Sequence, residues 1–132
     1  MSQPTKADAE LLLQIFAIAR NDDEAIEASW WIYEKLNVDN YDEFKSKHPL
    51  GSEGDRMVRI YATYGELTGV LVNKGLLNED LAFDWLGDFA WGRLGPILHG
   101  MRKDAKMPRL FENYEVFAQK YPKWAEKNPP KV

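Results

Sequence analysis

The sequence predicts an all-α protein, folded as a compact bundle of about five helices. Apolar side chains recur at steps of three and four residues along most of the chain, which is the period of a helix with one buried face. Leucine and alanine total 26 residues, whereas valine, isoleucine and threonine, which favour strands, total only 15. No stretch of six residues keeps a clean alternation of apolar and polar side chains, so no half-buried strand is expected.

The first two helices have recognisable starts. Thr5 is the predicted N-cap of a helix over about residues 5–20, because its hydroxyl can accept an early backbone N–H. Asn21 and Glu24 have the spacing of a capping box and predict a second helix that ends near residue 37. A short helix over about residues 39–48 is expected next, ending before a proline.

The third, fourth and fifth helices are expected to form the centre of the bundle, with the first two packed against them. The third, over about residues 55–74, has the most regular apolar period and ends at Gly75, a good C-cap. Asn78 is the predicted N-cap of the fourth, which is expected over about residues 79–101. Gly92 and Pro96 predict a kink in it, because proline removes one helical hydrogen bond and crowds the preceding turn.

The end of the chain predicts a fifth helix and a loose tail. Pro108 suits the first turn of a helix that reaches about residue 121, and a last short turn contains Trp124. The tail from about residue 128 contains two prolines and is expected to be frayed. The 132 residues suffice for one domain with a real core, so we expect a single helical domain over residues 1–132.

Composition argues against several classes of protein. The net charge of -4 works against binding to nucleic acid or to an anionic lipid surface. The chain has no cysteine, so disulfides, thiolate nucleophiles and cysteine-ligated metals are excluded. The apolar run near the start is about half the length of a membrane span, and it lacks the basic flank of a secretory signal. We therefore expect a cytoplasmic protein with no metal, no cofactor and no membrane or nucleic-acid partner.

Two adjacent tryptophans in the second helix suggest an interaction surface. Neighbouring residues of a helix point about 100° apart, so Trp30 and Trp31 cannot both face one core. Tryptophan is enriched at interface hot spots. The leading hypothesis is a non-enzymatic interaction module that binds another protein or a second copy of itself, as in a homodimer. The alternative, that both rings are partly covered by neighbouring helices, stays open.

A small-molecule site is the second hypothesis. Trp85, Phe89 and Trp91 would line a pocket beside the expected kink, with Arg102 or Arg109 as the anchor for an anionic or aromatic ligand. The basic residues near the end of the fourth helix also have a purely structural explanation, because cations there complement the helix dipole.

An enzyme is the third hypothesis. Asp84 and Asp88 are one helical turn apart, and such a pair can perform acid and base chemistry when burial separates the two pKa values. Solvated helix faces produce the same spacing without any chemistry. The sequence therefore favours the two binding hypotheses over the enzyme.

Several short sequence motifs in the second half of the chain resemble those of a known family. They are Gly-Glu-Leu at 65–67, Gly-Leu-Leu-Asn-Glu-Asp-Leu at 75–81, Trp-Leu-Gly at 85–87 and Phe-Glu-Asn-Tyr-Glu at 111–115, together with Pro96, Arg102 and Pro108. The stretch over about residues 55–121 is similar to a family of small bacterial helical proteins, the domain of unknown function DUF4760. The resemblance supports the order of the helices, and it implies no activity, cofactor or catalytic residue. The Trp30-Trp31 segment lies outside it.

Overall fold

The computed structural model describes residues 3–132, and every regular element in that range is an α-helix. The eight helices are α1 (Lys6–Arg20), α2 (Asp23–Glu34), α3 (Tyr41–Lys47), α4 (Glu53–Asn73), α5 (Glu79–Leu86), α6 (Trp91–Ala105), α7 (Glu112–Gln119) and α8 (Tyr121–Lys127). The prediction of an all-α protein is confirmed. Beyond the five predicted helices, α3 and α8 correspond to the short helix and the last short turn expected from the sequence, and a break in the predicted fourth helix divides it into α5 and α6.

Polar side chains at the N-caps explain where the first five helices begin. The Thr5 hydroxyl accepts the Asp8 N–H, as predicted, and the Asp8 carboxylate accepts the Thr5 N–H in return. The predicted capping box at Asn21 is wrong, because the Asn21 side chain donates to a carbonyl of α1 while Asp22 accepts the first N–H groups of α2. The caps of α3, α4 and α5 are Asn40, Ser52 and Asn78.

The predicted fourth helix is broken at residues 87–90, before the expected kink. Gly87, Phe89 and Ala90 have φ of 58°, 57° and 59°. These left-handed conformations cannot continue a right-handed helix, so α5 ends before them and α6 starts after them. The buried Tyr114 hydroxyl donates a hydrogen bond to the Phe89 carbonyl and holds this turn in place.

Pro96, where the kink was expected, does not interrupt the helix. It lies inside α6, which continues through it to Ala105. The N–H that proline lacks would have bonded to the carbonyl of Gly92, the second residue of the helix. The lost bond therefore falls in the first turns of α6, and the helix as a whole persists.

The predicted fifth helix also begins later and ends earlier than expected. Phe111 has a φ of 57°, and α7 starts at the next residue, so Pro108 lies in a turn before the helix. α8 follows as a separate helix with Trp124 inside it. The chain beyond Lys127 is not helical, and Lys131 Nζ lies 3.0 Å from the Asp84 carboxylate.

The core lies around α4, which packs between α2 and α7. The larger apolar cluster contains residues of α2, α3, α4, α6 and α7, with Phe44, Met57, Leu98 and Tyr114 among its most buried side chains. A smaller cluster joins Phe83 of α5 and Phe117 of α7, whose rings stack with centroids 4.7 Å apart. The order of the helices in the sequence thus produces one central helix with layers on both sides.

Two glycines of α4 allow α7 to approach closely. A Cβ atom on Gly69 would lie 2.3 Å from the Asn113 carbonyl oxygen, and one on Gly65 would lie 2.7 Å from the Tyr114 ring. Polar bonds accompany this contact: Glu66 accepts the Asn113 amide and the Tyr114 backbone N–H. Glycine is required here for space.

Candidate functional site

A cavity of about 430 Å³ opens between α1, α2, α4 and α5. Its walls are mainly aliphatic and aromatic, and helix α1 forms one side of it. The lining residues are Leu12, Ile15, Phe16, Ala19, Arg20, Ala25, Ile26, Ser29, Trp30, Tyr33, Tyr61, Tyr64, Thr68, Trp85, Leu86 and Phe89.

The polar groups in the deeper wall of this cavity already have protein partners. The Tyr64 hydroxyl donates to Asp22 at 2.9 Å, and the fully buried Thr68 hydroxyl donates to the Tyr64 carbonyl at 2.9 Å. The Tyr33 and Tyr61 hydroxyl oxygens lie 3.3 Å apart. Because these groups have partners within the protein, the wall presents mostly apolar surface to a molecule that enters.

Burial raises the pKa of two tyrosines in this wall. For Tyr61 the raised pKa comes first from burial and then from the hydrogen bond with Tyr33. For Tyr64 the pKa is raised by burial and by the neighbouring Asp22 carboxylate. Both phenols therefore stay neutral at physiological pH and add no negative charge to the cavity.

The rim of the cavity is aromatic and open to water. The exposed fractions are 65% for Trp30, 60% for Trp85, 53% for Tyr33 and 41% for Phe16. The Phe16 and Trp85 rings meet edge to face with centroids 5.6 Å apart. Four large aromatic side chains that remain uncovered around one opening are unusual for a surface without a binding role.

Helix α1 is held by hydrogen bonds at both ends and lies at the edge of the core. At its start the Asp8 carboxylate accepts the Asn78 N–H of α5 at 2.9 Å, and just past its end Asp22 accepts the Tyr64 hydroxyl. None of its residues is fully buried, and Leu11, Leu12 and Ile15 are the partly buried side chains that pack against the smaller apolar cluster. The side of the cavity that α1 forms is therefore less deeply packed than the side formed by α4, which has ten buried residues.

The structure divides the predicted tryptophan site between two places. Trp85 and Phe89 line the cavity, as does Trp30, which had been assigned to a separate interface. Trp91 lies elsewhere, with its ring 5.0 Å from Tyr114 and on the far side of the α5–α6 break. Trp31 is 6% exposed and belongs to the core, so the expected interface rests on Trp30 alone.

The predicted anion anchors do not reach the cavity. Arg102 donates to the Leu110 carbonyl at 2.8 Å and to Glu115 at 2.6 Å. Arg109 donates to Glu112 at 3.0 Å and its side chain is 87% exposed. Both arginines are thus engaged between α6 and α7, away from Trp85 and Phe89.

Asp84 and Asp88 do not form a carboxylate pair. The helix that would have placed them on one face ends at Leu86, so the spacing argument fails. Asp84 is exposed and bonds to Lys131, whereas Asp88 accepts the Gly92 N–H at the start of α6. Each carboxylate has its own structural partner, and the enzyme hypothesis has no geometric support.

The cavity residues that the sequence did not indicate come mainly from α1, α2 and α4. Phe16, Arg20 and Tyr64 lie in helices that the sequence predicts well. Their apolar stripes alone do not say which neighbour each helix meets. The available signal was Arg20, a cation one turn after Phe16 on a helix whose other face is also apolar.

A second depression of about 760 Å³ lies between α5 and α8. It is larger, but its walls include residues 128–131 beyond the last helix and several charged side chains, among them Asp80, Asp84 and Lys131. Lys131 and Asp84 are bound to each other there. Its surface is less suited to an apolar ligand than the cavity beside α1.

Residues 3–132 contain neither a cluster of metal-ligating side chains nor a membrane-spanning helix. In this range no group of three or more histidine or acidic side chains is placed to hold a metal ion. None of the helices in the same range is both long and apolar enough to cross a membrane.

Comparison with known proteins places most of the chain in one family. The family model described as "Domain of unknown function (DUF4760)" matches residues 4–124. This match is longer than the stretch that resembles the family by its short sequence motifs, and it includes Trp30 and all the residues of the cavity. No curated protein and no solved structure matches significantly.

Proposed function

Since this chain belongs to the DUF4760 family, whose description names no function, we propose a function from geometry: it binds a small, mainly apolar or aromatic molecule between α1, α2, α4 and α5. The cavity is the observation that carries this proposal. Its volume of about 430 Å³ is within the range of small-molecule sites, which is roughly 300–1,000 Å³. This is the small-ligand hypothesis, moved from the α5–α6 break to the cavity beside α1.

The chemistry of the walls supports an apolar ligand. Hydroxyl groups of the deeper wall are bonded within the protein, and neither Tyr61 nor Tyr64 carries a charge. An apolar molecule that enters would displace water from aliphatic and aromatic surface without leaving a buried polar group unpaired.

The test is a titration with a neutral fluorescent probe, N-phenyl-naphthylamine, which brightens in apolar surroundings. Ser29 is an exposed residue of α2 that lines the cavity, so Ser29→Phe places a ring in the binding space without disturbing the core. We expect this change to weaken probe binding by about tenfold or more.

The matched control is Glu27→Phe, two residues earlier on α2 and outside the cavity lining. It adds the same apolar ring to the same helix, and we expect probe affinity within about twofold of the wild type. Equal affinity in the wild type and both variants would contradict the proposal, as would a wild type that does not bind the probe.

A second candidate function is the interaction module, with a second copy of the chain as the partner. The observation that favours it is the exposure of Trp30, which lies with Phe16 and Trp85 on one aromatic rim. A tryptophan that is 65% exposed in one chain can bury a large area in a dimer and act as a hot spot.

Light scattering across a wide range of protein concentrations tests this second candidate. A dimer that forms in the wild type and is weakened by Trp30→Ala would support it. Leu50→Ala is the control, because Leu50 is 83% exposed and lies outside the rim. A wild type that stays monomeric at every concentration would exclude self-association through this surface. A dimer whose dissociation constant is unchanged in Trp30→Ala would exclude it as well.

A further inference from the structure

Arg20 occupies an isolated position at the cavity. Of the sixteen lining residues described, it is the charged one, and the others are apolar, aromatic or hydroxyl-bearing. Its guanidinium lies over the Phe16 ring, 5.6 Å from the centroid. Within residues 3–132 its side chain forms no ion pair and no hydrogen bond.

The nearby carboxylate on this side of the cavity is already engaged. Asp22 follows Arg20 by two residues, yet its oxygens accept the first N–H groups of α2 and the Tyr64 hydroxyl. The other arginines considered as anion anchors, Arg102 and Arg109, are paired with glutamates of α7. Arg20 is thus a cation with free donors beside an apolar cavity.

A cation placed this way complements one kind of ligand. The five N–H donors of a guanidinium fit a carboxylate or sulfonate, while the ring-lined cavity fits an apolar body. An ion pair beside apolar surface is also stronger than one surrounded by water on all sides. Arg20 lies in the last turn of α1, where its positive charge interacts favourably with the helix dipole. That interaction leaves its side-chain N–H donors free.

We propose that the ligand is a small amphiphilic anion, with its carboxylate or sulfonate bound by Arg20 at the mouth and its apolar or aromatic body inside the cavity. This inference rests on the proposed function, since it names the ligand class of the same site. It assigns to Arg20 the role that the sequence had suggested for Arg102 or Arg109.

Two probes with the same aromatic skeleton separate the charge from the apolar body. Anilinonaphthalene sulfonate carries an anionic group, and N-phenyl-naphthylamine is its neutral counterpart. In Arg20→Gln we expect the affinity for the sulfonate to fall by about tenfold, which is the effect of losing one charge-assisted contact. The affinity for the neutral probe is expected to stay within about twofold of the wild type.

Two further variants and a salt series sharpen the result. Arg20→Lys keeps the charge and is expected to retain most of the sulfonate affinity. Arg109→Gln, which removes an exposed arginine outside the cavity, is expected to leave the affinity for both probes unchanged. Added salt should weaken binding of the sulfonate in the wild type and have little effect on the neutral probe, since only the charged contact is screened.

Each remaining outcome decides against the proposal in a distinct way. If Arg20→Gln leaves sulfonate binding unchanged, the anion anchor is wrong while the apolar site stands. If Arg20→Gln weakens the binding of both probes equally, Arg20 acts by packing on Phe16 and not by its charge. If the neutral probe fails to bind the wild type, the proposed function itself fails, and the role of Arg20 falls with it.

Discussion

Glu115 of α7 binds two basic side chains of α6. Arg102 Nη1 donates to one of its oxygens at 2.6 Å, and His99 Nε2 lies 2.8 Å from the other. The Arg102 and Glu115 side chains are only 20% and 17% exposed. This ion pair is therefore less screened by water and salt than the neighbouring Arg109–Glu112 pair, which is more exposed.

The first prediction concerns the stability that Glu115 provides. Glu115→Gln leaves a partly buried guanidinium without its charged partner, so we expect the free energy of unfolding to fall by about 1–3 kcal/mol. The control is Glu112→Gln on the same helix, whose partner Arg109 is 87% exposed. A surface pair of that kind contributes under about 1 kcal/mol. Urea denaturation measures both, and equal losses in the two variants would contradict the distinction.

The second prediction concerns pH. Burial alone raises the pKa of Glu115, but the hydrogen bonds from Arg102 and His99 outweigh burial and hold the pKa below its ordinary value of 4.5. A carboxylate with a lowered pKa in the folded state stabilises the fold above its unfolded pKa, and this contribution is lost as the pH falls through the folded value. The difference in urea midpoint between wild type and Glu115→Gln should thus shrink below about pH 4.5. A difference that is constant down to acid unfolding would contradict it.

At the scale of helices, the close contact between α4 and α7 depends on glycine residues, which have no side chain. Gly69 lies against the backbone of Asn113, where a Cβ would be 2.3 Å from a carbonyl oxygen. A backbone atom cannot rotate away as the end of a flexible side chain can. Any larger residue must therefore push the two helices apart.

The third prediction follows from this contact. Gly69→Ala should lower the free energy of unfolding by about 1–3 kcal/mol, even though alanine is the better helix former. The control is Gly92→Ala in α6, where the added Cβ would meet only an Asp88 oxygen at 3.8 Å. That variant should be unchanged or more stable by up to about 1 kcal/mol. Thermal unfolding that ranks the two variants in the opposite order would refute the account of this contact.

The helices could be predicted from the sequence to different degrees. The starts of α1 and α5 follow from Thr5 and Asn78, because a capping side chain acts on its own neighbours in the chain. The break before α6 could not be read in the same way. It depends on Phe89 and Ala90 in left-handed conformations, and a hydrogen bond from the distant Tyr114 supports that turn.

At the scale of the whole molecule, the cavity is a product of long-range packing. Trp85 and Phe89 could be suggested as ligand contacts from their aromatic character, and both line the cavity. Their neighbours there, Phe16 and Tyr64, come from helices far away in the chain. The helical period shows that each has an apolar face, but only the folded structure shows which faces meet.

The choice between Trp30 and Trp31 illustrates the same limit. Helix geometry requires the two rings to point in different directions, and one is indeed buried while the other is exposed. The sequence could not say which ring faces the core. That depends on how α2 packs against its neighbours, where Trp31 lies beside His48 at the end of α3 with ring centroids 5.0 Å apart.

The central claim, that the cavity between α1, α2, α4 and α5 is a ligand site, can be tested by nuclear magnetic resonance. Isotope-labelled protein is titrated with the neutral N-phenyl-naphthylamine, and backbone amide shifts are mapped on the structure. The account predicts saturable changes confined to the cavity walls, including Ile15, Ile26 and Phe89. Changes centred on the depression between α5 and α8, or no saturable change at all, would contradict it.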